Sequence, residues 1–131
     1  MSENTIDDKM VFVKKENVDV INLTNDLGAA INQGDFVVIG PWCGVAMQDI
    51  AIGGNGPIHV EGGIQVQADD LVTGEDTFGT EGQEVYFDTA EKEFSDTETG
   101  GYYLVGYLIG SKDSNGMIEF EKLRLAELVA T

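Results

Sequence analysis

The apolar runs of this chain are short, and glycine bounds or interrupts most of them. The stretch "GDFVVIGPWCGVAMQD" (residues 34–49) enters at a glycine, runs to Ile39, turns at Gly40-Pro41 and resumes as Gly44-Val45-Ala46. Further on, "GQEVYFD" (82–88) and "YYLVGYLIGS" (102–111) follow the same order: glycine, run, interruption, run through a glycine. Runs of about four to eight residues rich in Val, Ile and aromatics, ended by turn residues, are strand-sized; helices need ten or more. With 17 glycines and only 2 prolines in 131 residues, the pattern predicts a turn-rich, mainly β fold.

Read in order, the expected strands fall at 18–23, 35–40, 44–52, 58–68, 84–88, 102–111 and 118–125. Ile58 and Val60, then Ile64 and Val66, are spaced by two, the mark of a half-buried strand, with a phase break at Gly62-Gly63. "GGNGP" (53–57) is a dense turn signal, and residues 69–83 read as a polar loop. In "TAEKEFSDTETGG" (89–101) Asp88 stands three residues before Glu91, as in a capped helix. The segment has almost no apolar face, so a turn between two short strands is preferred. "KDSNGM" (112–117) reads as a hairpin turn with Asn115-Gly116 at its tip, and 126–131 as a tail. The halves "GDFVVIG…GVAMQDIA…NGPIHVEG" and "GQEVYFD…LVGYLIGS…NGMIEFEKL" match in pattern, a weak internal repeat. A duplicated β unit closing on itself gives a small single-domain β-barrel or sandwich. Residues 1–17 are expected to be a flexible N-terminal arm ahead of a β-barrel-like domain at 18–131. At this length folding buries roughly two thirds of the unfolded chain's surface, enough to need no metal or disulfide.

The net charge is −17, from 7 basic and 24 acidic residues. Phosphate backbones and anionic membranes attract Lys and Arg, so no direct nucleic-acid or membrane partner is expected. Cys43 is the single cysteine, which excludes an intrachain disulfide and fits a reducing compartment. The opening "MSENTIDDKM" lacks the basic start and apolar core of a secretory signal. No run approaches the ~20 apolar residues of a membrane span. A protein that folds in the cytosol is expected.

Motifs for chemistry are weak. No G-x-x-x-x-G-K-[ST] occurs, and "GGNGPIH" has glycines but neither the lysine nor a following helix. "SKDSNGMIEFEK" (111–122) places Asp113, Asn115 and Gly116 as a calcium loop would, but begins with Ser111 and ends with Lys122, where a bidentate Glu is needed. A single histidine, His59, and a single cysteine make no zinc cluster. Cys43 and His59 could meet across strands as nucleophile and base, but no third group is evident, and Cys43 reads more simply as a core residue. No two carboxylates are marked as a glycosidase pair. No catalytic, cofactor-binding or metal-binding residue is therefore assigned, and no cofactor is expected. The apolar patch Met10-Val11-Phe12-Val13, between a polar arm and the first strand, is either that strand's own start or a segment that adds to a partner's sheet edge. Together with Ile6 it forms the candidate partner-contact set.

The segments "INQGDFVVIGPWCGVAMQDI", "GQEVYFDTAEKEFS" and "LVGYLIGS…NG", with the closing "EKLRL", resemble the small capsid cement or decoration proteins of phages over about residues 18–126. In that pattern a Gly-Asp begins a strand, a Gly-Val-Ala follows the first turn, and a Gly-x-x-Val-Tyr-x-Asp opens the second half. The resemblance implies a β-tulip-like subunit, often a homotrimer, on the exterior of the head at local threefold positions. There it would bind the major capsid protein, stabilise the shell and carry no catalytic residues; it would be assembled in the host cytoplasm. The departures are the acidic arm at 1–17, the Trp42-Cys43 pair and the acidic loop at 69–81. A second reading is a small acidic β-barrel binding module or enzyme of unknown ligand, which a convergent pocket holding Cys43, His59 and a carboxylate would favour.

Overall fold

The computed structural model describes residues 19–67 and 78–131. These form nine strands and no helix: β1 (Val20–Thr24), β2 (Phe36–Ile39), β3 (Trp42–Ala46), β4 (Asn55–His59), β5 (Gly63–Gln67), β6 (Glu84–Asp88), β7 (Glu93–Ser95), β8 (Tyr103–Gly110) and β9 (Met117–Leu128). All pairs are antiparallel, in one sheet with the path β1-β4-β3-β9-β8-β6-β7; β2 pairs with β3 and β5 with β9. The molecule is a small all-β single domain, as its glycine-punctuated runs predict. The sheet is not closed into a barrel: among the described residues no pairing joins β1 to β7.

Turn chemistry sets the local pairing. Gly40, at φ +59, and Pro41 form the two-residue loop between Ile39 and Trp42. Glycine first and proline second suit the mirror-image turn that matches strand twist. At the second hairpin, Asp113 Oδ1 accepts hydrogen bonds from the Asn115 and Met117 amides, and Gly116 sits at φ +83. The calcium-like segment is thus the expected hairpin turn. The stretch 89–101, expected as a turn between strands, begins as one, with Asp88 Oδ1 accepting from the Ala90 and Glu91 amides, but it also holds β7, which folds straight back onto β6.

Three boundaries differ from the sequence reading. β3 starts at Trp42 and stops at Ala46, so the expected strand over 44–52 ends early. "GGNGP" is only half a turn, because Asn55-Gly56-Pro57 already belong to β4. The proline is tolerated where the β3–β4 ladder ends: its carbonyl accepts from the Met47 amide and β3 continues no further. The expected tail at 126–131 is strand as far as Leu128, which pairs with Tyr103.

β9 organises the sheet. β8 lies along one edge, while β5 and then β3 share the other, the latter through Trp42 opposite Leu125. Register shifts in β6–β8 and β8–β9 bend these strands. The curl brings Phe36 of β2 edge-on to Phe87, Phe94 and Phe120, at 4.9, 5.1 and 6.3 Å between ring centres. That aromatic cluster, with Val38, Cys43, Phe78, Val85 and Val105, is one core. A second, aliphatic core holds Ile31, Val37, Ile39, Ala46, Ile50, Ile58 and Val60.

Candidate functional site

Among the described residues, the buried charged side chain lies where β3 meets β9. Lys122 follows Ile118 and Phe120 at spacing two on β9, so its side chain points inward with theirs and is 4 % exposed. Its Nζ donates to the carbonyls of Cys43, at 2.7 Å, and of Leu123. The Cys43 thiol donates to the same Leu123 carbonyl at 3.3 Å. Burial pulls the Lys122 ammonium below its ordinary range, against the opposing pull of Cys43 and Glu61. Burial also pushes the Cys43 thiol up. A nucleophilic cysteine needs a depressed pKa and access, so Cys43 here is a neutral core thiol. His59 pairs with Val45 in the sheet, and the polar neighbours of Cys43 are Lys122 and the Leu123 carbonyl. Outside this seam Arg124 pairs with Glu61 and stacks over Trp42, 5.6 Å from the ring centre. Among the described residues no three His, Cys, Asp or Glu side chains are grouped to hold a metal. The seam joins two parts of the fold.

Two surface features are better suited to contact. At one end, Asn25 is fully buried and its side-chain amide donates to the carbonyls of Ala29, Ile50 and Ala51, while its Oδ1 accepts from the Leu27 amide. Its backbone bonds Gly53 and Gly54. One side chain thus braces the 25–31 and 50–54 loops, from which Leu27 and Ile52 project, 45 % and 63 % exposed. Beside Leu27 opens a cleft of about 450 Å³ between the 27–38 segment and the β6–β7 hairpin. Its apolar wall includes Phe36, Phe87 and Phe94; Asp35, Thr89 and Lys92 supply polar groups.

The sequence-predicted contact residues Ile6, Met10, Val11, Phe12 and Val13 lie outside the described residues, as does the arm they belong to. Sequence reasoning missed Asn25, Lys122 and Phe78. Period two along "IEFEK" places Lys122 on the Ile118–Phe120 face and could have found it. Phe78 falls in the expected polar loop, yet it is fully buried, with its amide bonded to Asp96 Oδ2.

A family model described as phage cement protein matches residues 15–124. No curated protein and no solved structure gives a match. The matched span runs from ahead of β1 well into β9 and so takes in both cores. Cement proteins are structural components of the phage capsid. With the match covering most of its length, the chain belongs to the phage cement protein family.

Proposed function

We propose that this protein decorates the exterior of a phage head, bound at local threefold positions as a homotrimer, and that it stabilises the major capsid protein shell without enzymatic activity. The observation that carries the reading is the cement family match over 15–124. Physical arguments support it. Cement acts through an interface repeated over many sites, so avidity compensates for modest affinity at each. A chain of net charge −17 stays soluble and does not adhere to nucleic acid. The arm at 1–17, through Ile6 and Met10-Val11-Phe12-Val13, is the proposed strand donor to the shell or to a neighbour. Assembly takes place in the host cytoplasm, from a domain spanning 18–131.

The test is co-sedimentation with purified heads, with the free mass measured by light scattering. Saturable binding at a symmetric copy number is expected, stronger for expanded than for unexpanded heads. Deleting residues 1–17 should abolish most of it, and unchanged binding would remove the arm from the mechanism. A protein that stays in the supernatant with both kinds of head is not a decoration protein.

A further inference from the structure

We propose that in the free protein the cleft between the 27–38 segment and the β6–β7 hairpin seats the Met10–Val13 segment of the same chain. Lining, volume, side-chain spacing, charge and tether length bear on this occupant. The cleft is lined by Phe36, Phe87 and Phe94 at the edge of the aromatic core, with Leu27 and Ala30 exposed at its rim. Its volume of about 450 Å³ falls in the range of ordinary ligand pockets, roughly 300–1,000 Å³. In an extended segment Met10 and Phe12 project to one side about 7 Å apart, a pair of apolar side chains suited to such a slot.

Charge matches as well. Lys9, Lys14 and Lys15 flank the apolar tetrapeptide and are three of the chain's 7 basic residues. The cleft carries Asp35, and the turn that supplies Thr89 and Lys92 also bears Asp88, Glu91 and Glu93. The tether is of the same order as the path it must span. From Val13 to Asp19 is six steps along the sequence, up to roughly 20 Å when extended. The five residues of β1 rise about 17 Å and lead to Leu27 at the rim. A tether this short gives an effective concentration in the ~mM range, which favours the chain's own segment over that of a second copy.

The consequence rests on the proposed function, though the seat itself does not: the segment that reaches the shell is kept from water until docking draws it out. The test is amide hydrogen exchange on the full-length protein at low concentration. The amides of residues 10–13 should exchange ~10-fold or more slowly than an unstructured chain. Phe12→Ala should remove that protection, and so should Ala30→Lys, which sets a charge of the same sign as the flanking lysines at an exposed lining position. Amides in β8 and β9 should be unchanged in both, showing an intact fold. Unprotected wild-type amides, or protection indifferent to both substitutions, would overturn the proposal. Protection that weakens on dilution would assign the cleft to a second copy and overturn it too. Head binding is scored separately. Protection without head binding defeats the decoration reading alone, and head binding without protection defeats this one alone.

Discussion

The two halves of the domain solve one packing problem with the same device and then part company. In the first, β2, β3 and β4 pair in order; in the second, β6, β8 and β9 do, with β7 added at the edge of β6. In each, the middle strand carries a glycine pressed against the next strand. A Cβ on Gly44 would strike the His59 carbonyl oxygen and approach Ile58 to 2.9 Å; one on Gly106 would strike the Glu121 carbonyl oxygen and approach Phe120 to 2.6 Å. The halves differ in what they bury. Aligned on Asn55-Gly56 and Asn115-Gly116, Val60 stands opposite Phe120, both fully buried. The first half builds an aliphatic core and the second an aromatic one. They differ again two residues later, where Gly62, at φ +95, turns the first half away into β5. The second half has Lys122 there, and β9 runs on to meet β3. The Lys122 amide donates to the Gly62 carbonyl, so the divergent positions are themselves bonded. The repeat supplies two similar sets of paired strands, and the departure from it joins them into one sheet.

The largest expected effect separates the cores. Phe120→Ala should lower unfolding free energy by about 3–5 kcal/mol, because its ring contacts Phe36 and Phe94 and leaves a cavity that stiff neighbours do not refill. Val60→Ala at the equivalent position should lower it by only ~2 kcal/mol, from fewer lost methyl groups. Equal losses in urea melts would mean that the aromatic cluster is not the better packed of the two. Next come the glycines. Gly44→Ala and Gly106→Ala should each destabilise by about 1–3 kcal/mol, since the obstructing atoms are backbone. Gly110→Ala, where a Cβ meets nothing within 4 Å, should stay within about 0.5 kcal/mol of the parent. A large loss at only one of the two pressed glycines would break the structural equivalence of the halves.

That equivalence was legible in the sequence because glycine and turn residues carry backbone information directly. "GP" at 40–41 and "NG" at 115–116 specify hairpins by their φ values, and "IHV" and "IEF" specify a buried face by their period. What could not be read depends on contacts between distant segments. Nothing local marks Phe78, alone among polar residues, as the plug of the aromatic core, or Asn25 as the brace of two loops. Nor does local pattern say whether a sheet closes. The pairings of β1 and β7 decide that, and both are short strands at the ends of the path. The surface that would engage a capsid was reachable only through family resemblance, because an interface depends on the partner's shape as much as on this chain's.

The smallest expected effect tests the join itself through pH. The Lys122 ammonium is pulled below its ordinary 10.5 by burial, so between its folded value and 10.5 the unfolded chain binds more protons than the folded one. Stability from this group therefore rises with pH across that window, and the penalty of burying the charge is full below it. Cys43 runs the other way. Its thiol is pushed above 9.0, so from 9.0 to the folded value the folded chain holds the extra proton and stability falls as pH rises. In the wild type the two slopes oppose each other. Cys43→Ala should leave the lysine slope, so unfolding free energy should rise with pH on the approach to 10.5. Lys122→Met should leave the thiol slope, with stability declining above pH 9. Tyr86, also pushed upward by burial and by its bond to Glu84, is common to all three proteins and cancels in the differences. If both variants kept the wild-type pH profile, the amine and thiol would be reached by water, and the two halves would be held by their backbone pairing and cores alone.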